Sequence, residues 1–466
     1  MQSINTDKIK NIMLKLISLI SAALLSTLLA GCATKMAELP ENGLISKQVI
    51  TENYNIDTQW WKNYKDPQLN NLVDQAITNN IDLRKSAITV NRALYEANLL
   101  GENLVPEFSS SIGAGAEKNL KEGRTNHAYN AQLGISYELD LWSRLRDAAS
   151  AQEWEYKATQ LDLESTRLSL INHVVDSYFH LVYLNHAIKI TQENIKLYTQ
   201  LQTITQEKYQ IGKADISEPL NADRALLSAQ NNLVSLETER KQVEQTLRNL
   251  LNLRPEDPLN ITNDNLINVP LTQVDLEIPV AALGLRPDVK AAEFRVQSAF
   301  SNWEATKADI YPSITIGSTL SVSSTRARTM FNTPFLSGTV NLNLPFLQWN
   351  KLRWNIRISE AEFEDAKLGL TSAINTALNE VDTYYYTYQR TLSQLNIAKK
   401  KYDNDVRISH YNHNRWRIGS YELKEWLEAK YTENQSLMSL LETKYNAINE
   451  ENAIYKALGA RIITKK

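Results

Sequence analysis

Glu425 and Glu428 stand three residues apart in the stretch RIGSYELKEWLEA (417–429), shortly after Gly419. Residues i and i+3 share one face of a helix. Two carboxylates on one face, gathered around an axis by several copies of a chain, would form an acidic ring. Like charges held close raise one another's pKa and attract cations. Separating them relieves the repulsion, so other contacts must hold such a ring closed. The plain alternative is a pair of solvated surface glutamates. A near echo, QIGKADISEPLNA (210–222), places Gly212 and Glu218 at an offset of 207 residues from Gly419 and Glu425. Histidines could offer metal chemistry: His410 and His413 are three apart, and His173 and His180 seven apart. Metal binding needs further ligands in good geometry, and these read as packing or surface histidines. No nucleophile motif, phosphate-binding glycine loop or paired catalytic acids occur, so the sequence offers no enzyme.

The remaining chemical signal is Cys32, the single cysteine of the 466 residues. An intramolecular disulfide is therefore excluded. Lys8, Lys10 and Lys15 precede an uncharged run from Leu16 to Ala30, followed by LLAGC. A basic start, a short apolar core and small residues mark a secretory signal peptide over 1–31. Leu29-Ala30-Gly31-Cys32 resembles the bacterial lipobox, which makes the cysteine the first mature residue and the carrier of covalent lipid, palmitate included. Met13 serves as a start equally well as Met1. Ala33, rather than Asp, follows the cysteine and resembles an outer-membrane address. The formal net charge of −3 argues against general nucleic-acid binding. Past Cys32 no run is long and apolar enough for a spanning helix, so a mature chain that crosses a membrane does so as a closed β-barrel.

The elements that must position these residues come in two sets. LWSRLR (141–146) matches QWNKLR (348–353), and Tyr178, Leu220 and Leu233 match Tyr385, Leu427 and Leu440, all at the same offset of 207. Each half opens with helical sequence (67–104 and 281–309) ending before Pro106 and Pro312. Two segments of period two follow, which read as strands. In 129–141 the apolar set is Tyr129, Ala131, Leu133, Ile135, Tyr137, Leu139 and Leu141; in 336–346 it is Leu336, Val340, Leu342, Leu344 and Phe346. This predicts a hairpin over 107–141 and another over 313–346. Residues 142–211 then lack glycine and proline, and 347–418 hold only Gly369. A 70-residue helix is about 105 Å long. Leu161, Leu168, Ile171, Val175, Tyr178 and Val182 keep the three/four spacing of side-by-side helix packing. Gly212 and Gly419 fall where these helices should stop, and Ser217 and Pro219 suit the first turn of the return. The organisation is thus a lipidated extended segment 32–65, a first repeat 66–256 (long helix 142–211, return helix 214–252), a connecting equatorial segment 257–280, and a second repeat 281–466 (long helix 347–418, return helix 420–458). Trp60 and Trp61 are expected to anchor the N-terminal segment, Tyr384 to Tyr386 to pack on a long helix, and Trp142 to sit near an interface.

Four strands of about ten residues match the length of outer-membrane barrel strands. Four cannot close a barrel, since known single-chain barrels begin at eight, and an open edge in lipid leaves unpaired backbone groups at several kcal/mol each. A dimer would supply eight strands and a trimer twelve; a soluble sheet with one polar face is the alternative.

The chain resembles the TolC-like outer-membrane efflux channels, in their lipoprotein branch. The resemblance rests on WWKNYKDPQLNNLVDQAITNNIDLR (60–84), YELDLWSRLRDA (137–148), LGLRPDVKAAEFRV (283–296) leading to ADIYPSITI (308–316), and YKALGA (455–460). It implies a mainly α chain with a transmembrane β-barrel: a homotrimer sharing a 12-stranded barrel, continued by a 12-helix periplasmic α-barrel. It implies a passive exit duct in the outer membrane, held by lipid on Cys32 with no other cofactor and docked to a periplasmic adaptor (membrane fusion) protein and an inner-membrane transporter of RND type. The two echoed stretches become turns at the periplasmic tip, where an iris is formed by the second repeat's hairpin. By the match on Gly419, Glu425 and Glu428 take the acidic-ring positions, Trp416 an aromatic position, and Glu218 lies nearby. Glutamates stand where the family usually has aspartate, and Tyr421 where some members have a latching arginine. The competing function is a lipid-anchored periplasmic coiled-coil adaptor without a pore, which should carry one helical hairpin and small β-rich modules rather than two matched halves.

Overall fold

Two glycine-poor runs of sequence become helices of 67 and 69 residues in the computed structural model, which describes residues 54–263, 265–272, 274 and 280–464. The signal peptide and Cys32 lie outside the described residues. A short strand β1 (Tyr54–Asp57) comes first, followed by a 3-10 turn at Trp60–Tyr64. Helix α1 (Pro67–Asn79) starts because Asp66 accepts the amides of Gln68 and Leu69 and proline takes the first helical position. The single helical lead-in expected over 67–104 is broken at Asn80. Its backbone is extended and its side chain accepts from Leu83 N, so it caps the next helix, α2 (Ile81–Gly101).

Strands β2 (Glu107–Lys118) and β3 (Thr125–Leu139) form the first hairpin. The long helix α3 (Arg144–Gln210) and return helix α4 (Ser217–Leu251) complete the first half. The second half repeats this order with α5 (Pro287–Ala308), β4 (Ser313–Ser324), β5 (Pro334–Asn343), α6 (Trp349–Arg417) and α7 (Leu423–Ala457). Both return helices are 35 residues long.

Two strand ends fall short of the sequence expectation, one for a capping and one for a proline reason. Leu141 lies beyond β3 because Asp140 turns its carboxylate to the amides of Leu145 and Arg146 and starts α3. Leu344 and Phe346 lie beyond β5 because Pro345 cannot donate to a ladder and opens a 3-10 turn instead. At the start of α4, Ser217 and Pro219 occupy the first turn as expected, and Asp215 Oδ1 accepts from Ser217 N at 2.8 Å. A two-stranded sheet escaped the sequence reading: β1 pairs antiparallel with β6 (Arg461–Thr464), Tyr54 opposite Thr464, and so joins the two ends of the described chain.

The four longer strands form one antiparallel sheet in the order β2-β3-β4-β5, so the two hairpins join through β3 and β4. Its register sorts most of the side chains by polarity, with Ser110 and Ser318 among the exceptions on the apolar face and Phe335 on the polar one. Ile112, Ala131, Val322 and Pro334 lie in one row, and Leu133, Leu320 and Leu336 in the next but one. That face is largely apolar. The other carries Ser111, Gln132, Ser321 and their like: serine, threonine, glycine and amides, with Glu107 and Glu138 towards the helical end. Because strand side chains alternate strictly, a slip of one residue would exchange the faces. The outer edges of β2 and β5 have no partner strand among the described residues.

The largest buried cluster sits where the halves meet. Trp60, Trp61 and Tyr64 pack with α1, the middle of α3 (Leu168 to Val182), the end of α4 and the end of α7. The first two are fully buried, and Trp60 Nε1 donates to Asn452 Oδ1 at 2.9 Å. The seam read from the sequence on α3 supplies Leu168, Ile171, Val175, Tyr178 and Val182 to this core. Tyr384 and Tyr385 pack against it, whereas Tyr386 is exposed. Trp142 stacks on Tyr311 with centroids 4.7 Å apart and donates from Nε1 to Pro312 O, pinning the base of one hairpin to the other.

Candidate functional site

Gly212 and Gly419 end the long helices in the same way. Each has φ 73°, and each is followed by the same pair of hydrogen bonds: Gly212 N to Tyr209 O with Lys213 N to Lys208 O, and Gly419 N to Trp416 O with Ser420 N to Arg415 O. This six-to-one and five-to-two pattern needs a left-handed residue, which glycine adopts without strain. It reverses the chain within a few residues, and so brings both echoed stretches to the ends of their hairpins.

The candidate site residues then divide. Glu425 and Glu428 are exposed, and their side chains have no ion pair or hydrogen bond among the described residues. Glu218 is not free: Lys424 Nζ donates to its Oε2 at 3.1 Å. Trp416 stacks on Trp426 of the return helix, with centroids 5.0 Å apart and planes 12° apart, and His413 packs against both rings. Tyr421 meets the Tyr411 ring edge-on, and Tyr411 Oη accepts from Arg415 Nε.

A second contact between the hairpins was not expected from the sequence. Lys208, near the end of α3, donates to Glu422 just before α7. Glu422 and Lys424, two residues apart, therefore reach the two helices of the first hairpin with opposite charges: one binds Lys208 on α3, the other Glu218 on α4. The hydrogen bond from Lys208 holds the Glu422 carboxyl below the usual range, and the bond to Glu218 raises the Lys424 ammonium. Surface ion pairs contribute roughly 0.2–1 kcal/mol each, so the tie is weak. The only sequence signal was the alternation Glu422, Lys424, Glu425; which helix each faces is a matter of tertiary packing.

The histidines do not converge. His410 bonds to Asn414, His413 is spent on the tryptophans, and His180 pairs with Glu239 at 3.2 Å. Among the described residues no group of three metal-ligating side chains is close enough to hold an ion.

Two matched halves, a sheet with a largely apolar face and two hairpins meeting at their turns agree with one known architecture. The sequence profile of the outer membrane efflux proteins matches residues 72–253 and 278–460. The chain belongs to that family. It is 44% identical to toxin and drug export protein A of Aggregatibacter actinomycetemcomitans, across 95% of this chain and 97% of that protein. It is 24% identical to the cation efflux system protein CusC of Escherichia coli K12, across 90% and 92%. Among solved structures, the outer membrane channel CmeC of Campylobacter jejuni superposes with a TM-score of 0.78 at 23% identity, covering 87% of this chain and 89% of that one. As an outer membrane efflux protein, the chain forms the outer-membrane exit of an efflux system and extends into the periplasm. The adaptor alternative, with one hairpin and no membrane strands, is set aside by the family and by the two-repeat fold.

Proposed function

We propose that three copies of this outer membrane efflux protein close a 12-stranded barrel and a 12-helix tube, through which substrates leave the cell without being chemically changed. The observation that carries this reading is the sheet: one face apolar, the other polar, with free edges on β2 and β5. Strands of 12 and 10 residues at those edges match membrane length. Unpaired edges in hydrocarbon are costly, and pairing β2 of one copy with β5 of the next removes them. The polar face then lines the pore.

The tip of each tube is the gate. The Lys208–Glu422 and Lys424–Glu218 pairs hold the second hairpin against the first at rest, while six carboxylates from Glu425 and Glu428 of three copies repel one another across the axis and favour opening. A periplasmic adaptor draws the hairpins apart, and an inner-membrane transporter of RND type supplies cargo. Relatives named for export of toxins and drugs, of pyoverdine and of cations share this architecture, which supports a duct whose cargo is set by the pump. Lipid on Cys32 anchors the mature chain, and no reaction is catalysed.

Purified protein in planar bilayers should give discrete conductance steps and run as a trimer in detergent. A monomer without conductance would overturn the reading. Cys32→Ser should abolish metabolic labelling with palmitate; persistent labelling would reject the lipid anchor.

A further inference from the structure

The end of the sheet away from the helices carries a concentration of unused positive charge. The turn between β2 and β3 and the segment between β4 and β5 present Lys118, Lys121, Arg124, Arg326 and Arg328, against the carboxylates of Glu117 and Glu122. All five cations are exposed, and none has an ion pair among the described residues. At the helical end of the same sheet the pattern is the reverse: Arg144 pairs with Glu138, Arg146 with Asp140 and Lys307 with Glu304. Both outer segments are fixed rather than loose. Asn119 Oδ1 accepts from Lys121 N and Glu122 N, Asn119 N donates to Arg124 O, and Arg326 N donates to Ser324 Oγ.

An apolar groove of about 350 Å³ lies on the apolar face of the same sheet and is joined to the segment that carries Arg328 through Phe331. Ile112, Ala131, Leu133, Leu320 and Val322 form its floor, and Phe331, from the segment that carries Arg326 and Arg328, overhangs it. Phe331 is 69% exposed, and Leu120, between Lys118 and Lys121, is 89% exposed. Apolar surface a few residues along the strands from unpaired guanidinium and ammonium groups, within the reach of an acyl chain, is complementary to an amphiphile with an anionic head. Guanidinium groups bind phosphate through two parallel hydrogen bonds, and lysine binds it as a point charge. Basic groups at a membrane interface attract anionic headgroups.

We propose that this end of the sheet binds a phosphate-bearing glycolipid of the outer leaflet, with Arg326 and Arg328 on one phosphate, the Lys118, Lys121 and Arg124 turn on a second, and an acyl chain in the groove under Phe331. The inference rests on the reading of the sheet as a membrane barrel with its apolar face in lipid. Bound lipid would seal the wall of the barrel at the level where the strands give way to turns.

The test uses the full-length protein purified in detergent, with bis-phosphorylated lipid A as probe and its dephosphorylated form as control. Native mass spectrometry should show the phosphorylated lipid retained at least tenfold more than the control. R326E with R328E should remove that preference, and the neutral R326Q with R328Q, which break no side-chain contact among the described residues, should reduce it. Phe331→Ala should lower retention of both lipids. Equal retention of the two lipids by the parent protein overturns the proposal. So does a charge-reversed channel that keeps the lipid and changes only its ion selectivity, since the cations would then face the pore. Conductance is recorded on the same preparations in glycolipid-free bilayers. A parent protein that conducts but does not prefer the phosphorylated lipid sinks this inference alone, whereas absence of conductance sinks the duct reading whatever lipid is retained.

Discussion

Gly212 and Gly419 lie 207 residues apart and adopt the same left-handed φ of 73° at the ends of the two long helices. A Cβ built on either would meet nothing within 4 Å. Substitution therefore strains only the backbone. Gly212→Ala and Gly419→Ala should each cost about 1 kcal/mol, the penalty for a left-handed alanine, and by nearly the same amount. Melting temperatures of the two variants check this. A much larger loss at one site would mean that the two turns do not share one geometry.

Lys424 and Glu218 test the tie between the hairpins. Lys424→Glu replaces an attraction with a repulsion and leaves Glu422 to hold the second hairpin alone. The variant should show a larger resting conductance and let cells take up a bulky hydrophilic antibiotic that the parent excludes. Adding Glu218→Lys restores opposite charges and should restore closure. A swap that leaks as much as the single variant would show that the contact does not hold the tip.

If Glu425 and Glu428 form the proposed acidic ring, their removal should be felt by ions rather than by stability. Glu425→Gln with Glu428→Gln removes six charges from a trimeric tip while breaking no contact of either side chain. Cation selectivity should fall, and block by multivalent cations from the periplasmic side should weaken, with little change in melting temperature. If selectivity and block match the parent, these glutamates are ordinary helix-surface residues.

What could be seen in advance follows from the range of each signal. Helix α3 and the hairpin it follows were legible because period 3.6 and period 2 are local patterns, repeated over tens of residues. The turns at Gly212 and Gly419 were legible because one residue type solves a local backbone problem. Asp140 and Pro345 shifted strand ends by a few residues, since a cap or a missing N–H outranks a continuing alternation. The β1–β6 pair was not legible: Tyr54–Asp57 and Arg461–Thr464 are four residues each, and nothing in either names a partner at the other end of the chain. The same holds for Lys208 and Glu422, whose meeting depends on how α3 and α7 pack. Glu425 and Glu428 stand out in the sequence by their spacing on one helix face, whereas Lys424, which ties the hairpins through Glu218, does not, because a lysine on a helix is ordinarily solvated.

Glu451 makes the clearest pH prediction, because it is a fully buried carboxylate on α7. Its Oε1 accepts from the Thr272 and Tyr455 hydroxyls, while its Oε2 and the Tyr64 hydroxyl have no hydrogen-bond partner among the described residues. Burial pushes its pKa up to about 7 from the ordinary 4.5, against the hydrogen bonds and the Arg461 charge. Lys444, two turns earlier on the same helix, donates to Val269 O and is lowered by burial to about 8 from 10.5, with Glu451 opposing. Tyr388, on α6, also feels the Glu451 charge. Between about pH 4.5 and 7 the folded chain holds a proton on Glu451 that the unfolded chain has lost, so stability falls as pH rises. Between about 8 and 10.5 the folded chain lacks a proton on Lys444 that the unfolded chain still holds, so stability rises with pH. Their combined contribution is least between pH 7 and 8. Glu451→Gln keeps the Oε1 acceptor and removes the titration. Its stability relative to the parent, followed by melting temperature, should therefore climb through the window 4.5 to 7, by an amount on the order of a few kcal/mol, and stay level above it. Lys444→Met should do the converse, its advantage over the parent shrinking from pH 8 to 10.5. A difference curve for Glu451→Gln that stays flat from pH 4.5 to 8 would mean that the buried carboxylate is ionised throughout, and that Lys444 compensates it more closely than the contacts of either side chain indicate.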